Sequence, residues 1–149
     1  MEYLKNHDTL TGINNRNYLE TMKPLWSEKL NVALIASDID KLKTINDTHG
    51  HVAGDELLIA YANKLKHFCE GLKTVHIIRT GGDEFLIVLE DEAFVHHERL
   101  ESIIETITIT ISGQTAKASV GKAIKQGNEP FENALKRADE QLYNMKRNR

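Results

Sequence analysis

The sequence predicts an α+β fold in which an antiparallel sheet is flanked by helices. Three observations carry that expectation. Val32-Ala33-Leu34-Ile35-Ala36 is a continuous apolar run, two β-rich runs bracket the glycine pair Gly81-Gly82, and two long segments carry apolar residues at helical spacing. Strands and helices alternate as strand, helix, hairpin, helix, hairpin, helix, and packing helices against one antiparallel sheet in the βαββαβ manner buries them all.

The elements follow in order. Asp8-Thr9-Leu10-Thr11 reads as a capped turn leading to a short helical pattern over residues 15–23, because Asp and Thr oxygens accept from the open N–H groups of a helix start. The apolar run 32–36 ends at Ser37-Asp38 and fits a buried strand. Over residues 52–68, Leu57, Leu58, Tyr61, Leu65 and Phe68 recur at helical spacing. Residues 74–79 and 85–89 flank Thr80-Gly81-Gly82-Asp83-Glu84, a hairpin whose glycines are expected to supply the positive φ of a tight turn. A helix is expected over 94–104, a strand over 106–111, a turn at Gly113-Gln114 and a partner strand over 116–123. Pro130 sits near a last helix start, and Ala134, Leu135, Ala138, Leu142 and Met145 form that helix's apolar stripe.

With 149 residues, no repeat and no divider, residues 1–149 are expected to form one domain. A composition of 40% hydrophobic and 28% charged residues is that of a soluble globular chain. A formal net charge of −3 gives no basic field, so nucleic acid is not expected as a partner. The longest apolar run is far shorter than a membrane span, so no direct membrane insertion is expected. Met1, followed by Glu2, Lys5, Asn6 and His7, does not open a signal peptide. Cys69 is the single cysteine and has no metal-like Cys/His set around it. A cytoplasmic location is therefore expected, as a free domain or as the cytoplasmic part of a membrane protein.

Two acidic tips carry the chemistry. Asp38-Ile39-Asp40 ends the first strand, and Asp83-Glu84 lies in the hairpin turn. Adjacent central strands would bring these carboxylates together despite their repulsion. A hard divalent cation such as Mg²⁺ offsets that cost and bridges to substrate phosphates, the arrangement expected for phosphoryl or nucleotidyl transfer. Gly81-Gly82, having no side chains, lets a nucleotide approach the backbone closely.

Several separate motifs extend this pattern: Asp8-Thr9-Leu10-Thr11-Gly12 with Asn15-Arg16; Asp38-Ile39-Asp40 with Lys43, Ile45-Asn46-Asp47 and Gly50-His51; Gly54-Asp55; Arg79 with Gly81 to Phe85; Ser119-Val120-Gly121; and Ala138-Asp139 with Leu142-Tyr143 and Lys146. On these residues the chain resembles the GGDEF domain of diguanylate cyclases over nearly its whole length. The resemblance implies a ferredoxin-like, nucleotidyl-cyclase-like palm, GTP as substrate and two Mg²⁺ per GTP. It also implies a homodimer in which each subunit contributes one GTP, and a sensory or regulatory domain in a longer parent protein. Asp38, the carbonyl of Ile39 and Asp83 would ligate metal, and Glu84 would join Asp83 in the catalytic set. Asn46 and Asp55 would recognise guanine, while Lys43 and Lys146 would neutralise phosphate charge and Gly81 and Gly82 would border the nucleotide. The implied function is condensation of two GTP into cyclic di-GMP with release of pyrophosphate. The alternative is a catalytically silent module that binds GTP or cyclic di-GMP.

Some positions depart from the family. Leu42 stands where a phenylalanine is frequent. The Arg-x-x-Asp product-inhibition pair is replaced by Leu72 and Val75. The basic residue after the last helix has only Arg147 or Arg149 as a substitute. Trp26, Tyr61, Phe68 and Tyr143 are expected to pack rather than stack on bases. His49 and His51 are expected as turn and capping residues, and His96-His97 as a solvated helix face.

Overall fold

Residues 5–148 are described by a computed structural model. Its centre is β1 (Val32–Ile39), buried along its full length. It pairs antiparallel with β3 (Glu84–Glu90) on one side and β5 (Gln114–Ile124) on the other. β2 (Val75–Arg79) and β4 (Thr108–Ile111) lie outermost, and the order among the described residues is β2-β3-β1-β5-β4. The apolar run of β1 follows from this placement. Successive side chains point to opposite faces, and each face is covered. Ala33, Ile35 and Ile39 join Leu57 and Tyr61 of α3 (His51–Phe68) in one core. Val32, Leu34 and Ala36 join Trp26 of α1 (Arg16–Ser27) and Phe131 and Ala138 of α5 (Phe131–Arg147) in the other.

Gly121 sets how closely α5 approaches the sheet. A Cβ there would lie 2.1 Å from the Leu142 nitrogen and 2.3 Å from the Ala138 oxygen. The N-terminal segment is pinned at the β2 edge, where Asn14 N–H donates to Ile77 O at 3.1 Å and Arg79 N–H donates to Asn14 O at 2.8 Å.

Several local expectations are revised. α1 continues through Pro24 to Ser27, because Trp26 beyond the proline is fully buried and anchors the last turn. Residues 42–49 form a separate helix, α2 (Leu42–His49), whose only buried residue is Ile45. So polar a helix shows no apolar stripe in the sequence. The helix expected over 94–104 divides into a 3₁₀ turn (Asp91–His96) and α4 (His97–Glu105). His96 and His97 are half-buried there rather than solvated, and Lys122 Nζ donates to His97 Nδ1 at 2.8 Å. The last hairpin turns at Ser112-Gly113, one residue early, with φ of 50° and 81°. Positive φ at both central residues is the turn geometry that matches strand twist. No helix among the described residues is long and apolar enough to cross a membrane.

Candidate functional site

The two acidic tips meet. In the β1–β3 ladder Asp38 stands directly opposite Glu84, and Asp83 is one residue further on in the hairpin loop. Asp38 is buried, Asp83 half-buried and Glu84 exposed. Lys146, near the end of α5, donates from Nζ to Asp38 Oδ2 at 2.6 Å. That hydrogen bond, with the charges of Asp38, Asp83 and Glu84, raises the Lys146 pKa above its usual value despite partial burial. The acidic end of the sheet thus already attracts a cation. Among the described residues no group of three or more His, Cys, Asp or Glu side chains is arranged to hold an ion. Asp38, Asp83 and the Ile39 carbonyl, the expected metal ligands, offer only oxygen atoms. Such a set suits Mg²⁺, which keeps waters and takes phosphate oxygens beside one or two carboxylates.

The hairpin loop is held from behind. Arg79 donates from Nη2 and Nε to Gly82 O at 2.8 and 3.1 Å, and from Nη1 to both Asp8 carboxylate oxygens at 3.2 Å. Asp8 also accepts from the Thr11 amide at 2.9 Å and hydroxyl at 2.6 Å, the expected capped turn. Burial pushes the Asp8 carboxyl up, but the Thr11 bonds and the Arg79 charge outweigh it and hold its pKa below the ordinary value. Neither Gly81 nor Gly82 has positive φ, contrary to the expected tight turn. The reach from Arg79 to Glu84, closed by Thr80 N–H to Glu84 O at 2.9 Å, is long enough to avoid left-handed backbone. The glycines instead keep the loop bare. A Cβ on Gly82 would meet nothing within 4 Å, and one on Gly81 would press on Glu84 Oε2 at 3.3 Å.

A second group forms where α2 and α3 join. Gly50, with φ of 89°, ends α2 and begins α3. This elbow brings half-buried Asn46 against Gly54, beside exposed Asp55. Lys43 is exposed in the first turn of α2, whose N-terminus carries no side-chain cap. Asn46 and Asp55 lie with α3 over one face of the sheet, whereas Lys146 comes from α5 on the other. Both groups lie toward the end of β1 from which α2 departs.

A cleft of about 340 Å³ that the motifs do not mark lies between α1 and α5, floored by Leu19, Leu86 and Leu142 and opening onto Asp38 and Glu84. Asp139 at its rim has a raised pKa, caused by burial and by the charges of Glu84 and Glu132. Its walls come from elements distant in sequence, so no local pattern marks it. Tyr143 also lines this cleft and is 61% exposed rather than packed, with the Arg147 guanidinium 5.6 Å from its ring centre. Trp26 and Tyr61 are fully buried as expected. His49 and His51 are exposed. Leu42, Leu72 and Val75 all pack on the core. Arg149 lies outside the described residues.

The family model described as "Diguanylate cyclase, GGDEF domain" matches residues 5–149. Diguanylate cyclase DgcM of Escherichia coli K12 is 32% identical over 157 residues, an alignment covering 98% of this chain and 37% of DgcM. Diguanylate cyclase DgcZ of the same organism is 34% identical over 152 residues, covering 95% of this chain and 50% of DgcZ. Among solved structures, diguanylate cyclase SiaD of Pseudomonas aeruginosa, in complex with its activator SiaC, aligns with a TM-score of 0.78. It is 28% identical, and the alignment covers 99% of this chain and 60% of SiaD. The chain therefore spans half or less of these curated relatives.

Proposed function

We propose that this chain, which belongs to the GGDEF domain family, condenses two GTP molecules into cyclic di-GMP with release of two pyrophosphates. Its antiparallel sheet with flanking helices is the nucleotidyl-cyclase-like palm of that family. The observation that carries the proposal is the in-register meeting of Asp38 and Glu84, beside Asp83, with Lys146 on Asp38. A silent binding module needs no such costly convergence of carboxylates.

In this reading Asp38, Asp83 and the Ile39 carbonyl would hold the metal. Diguanylate cyclases of the family generally use Mg²⁺, two per GTP in this proposal, which neutralises triphosphate charge when bound. Glu84 steadies the acidic loop. Lys43 and the open N-terminus of α2 receive phosphate oxygens, and Lys146 moves from Asp38 to the triphosphate. Asp55 accepts from guanine N1–H and N2–H, donors that adenine lacks, and Asn46 pairs with the remaining edge. Gly81 and Gly82 leave room for the nucleotide. Each GTP, held by its own copy of the chain, then uses its 3′-hydroxyl to attack the α-phosphate of the other. In each attack the hydroxyl proton passes to solvent, a new O–P bond forms and the P–O bond to pyrophosphate breaks, so two bonds close the ring and two pyrophosphates leave. Most of the rate comes from positioning and electrostatics.

Concentrated protein incubated with GTP and Mg²⁺, with products identified by mass spectrometry, tests this. Cyclic di-GMP is expected from the parent. From Asp38→Asn the yield should fall by more than about a hundredfold, since a metal ligand worth several kcal/mol is lost. GTP binding without any product from the parent would favour the silent module instead.

A further inference from the structure

Gly54 lies inside α3, where glycine is among the least favourable residues for a helix. It is buried, and its φ is not positive, so no backbone requirement explains it. A Cβ built there would stand 1.7 Å from Asn46 Oδ1, 2.8 Å from Cγ and 3.3 Å from Nδ2. The Asn46 amide oxygen therefore occupies the space a side chain at position 54 would fill, one residue before Asp55. The backbone around Asn46 is held. Its neighbour Ile45 is buried in the core, its own carbonyl accepts from Gly50 N–H at 2.9 Å, and Gly54 N–H donates to Gly50 O at 3.3 Å.

We infer that Gly54 is a specificity-determining positioning residue: its missing side chain seats the Asn46 amide beside Asp55, so that the two read a purine edge together. The inference rests on the proposed guanine-binding role of Asn46 and Asp55. A methyl group at position 54 would collide with the end of a flexible side chain, not with backbone. The helix would accept it, and the Asn46 amide would swing away. Guanine presents a carbonyl beside its N1–H, and a displaced amide cannot meet that pattern in concert with the carboxylate. Adenine, with the opposite pattern, loses nothing.

The test is a double-mutant cycle over the parent, Gly54→Ala, Asn46→Ala and the double variant. Binding of 3′-deoxy-GTP and 3′-deoxy-ATP, which lack the attacking hydroxyl, is measured with Mg²⁺ beside each variant's Tm. Gly54→Ala should bind 3′-deoxy-GTP about tenfold more weakly, shift 3′-deoxy-ATP by less than about twofold, and keep or raise the Tm. The double variant should match Asn46→Ala within about twofold. Four results would overturn the inference. They are a Tm lowered by Gly54→Ala, equal weakening of both nucleotides, a further loss on top of Asn46→Ala, or parental affinity for Gly54→Ala while Asn46→Ala is weakened. If neither single variant alters 3′-deoxy-GTP binding, the base-pocket reading itself fails.

Discussion

Asp38 and Asp55 sit in opposite environments and answer to different tests. Asp38 is buried and ion-paired, whereas Asp55 is exposed on a helix. Asp55→Ala removes the acceptor for two guanine donors without touching the core. GTP affinity should fall by roughly 1–3 kcal/mol, about five- to 150-fold, with the Tm unchanged. Equal GTP binding by the variant and the parent in titration calorimetry would remove Asp55 from the site. The meeting of the acidic tips was legible because they end adjacent strands, whereas Asn46 and Asp55 entered only through the resemblance. The contact of Asn46 with Gly54 was not legible, since it depends on the α2–α3 elbow. The one hint was a glycine placed where a helix prefers other residues.

α5 is the element that delivers Lys146, and two features fix it. At its inner face, Gly121→Ala would drive a methyl group into the Leu142 and Ala138 backbone. Overpacking of that kind costs about 1–3 kcal/mol, a Tm loss on the order of 3–10 °C, and it should also separate Lys146 from Asp38. Thermal unfolding checks the first effect; an unchanged Tm would mean that α5 is not seated as described. Near its start, Arg137 donates to both Glu129 oxygens at 2.7 Å and to Ile124 O at 2.7 Å. The Arg137 hydrogen bonds hold the Glu129 pKa down at about 2, from 4.5. A depressed folded-state value means that this pair stabilises the fold above about 4.5 and that its contribution fades as pH falls through about 2. The Tm advantage of the parent over Glu129→Gln should therefore be full near neutral pH and shrink on acidification. An advantage independent of pH would show that the pair contributes no charge interaction. Elements with strong periodicity, such as β1, α3 and α5, were readable from sequence. α2 was not, because one buried isoleucine makes no stripe, and the end of α1 was masked by Pro24 although Trp26 holds it.

The molecule as a whole presents one pair of acidic tips and one Asn46–Asp55 group, while the proposed product contains two guanylates. Under the proposed function one chain holds half of a reaction centre, and two copies must face each other about a two-fold axis. Nothing in the periodicity of one chain encodes that meeting; only the chemistry of the product requires it. The chain spans 37% of DgcM and 50% of DgcZ, so segments outside the aligned region of such relatives could set how often two copies meet. A coiled-coil dimeriser fused ahead of the chain should raise activity at low concentration if its geometry lets the acidic ends face one another. The most direct measurement is the initial rate of cyclic di-GMP formation across about a hundredfold dilution, with the oligomeric state followed in parallel. The rate should fall more steeply than first order in protein, so that specific activity rises as the chain is concentrated. Specific activity that stays flat in a preparation shown to be monomeric would contradict the two-chain reaction centre.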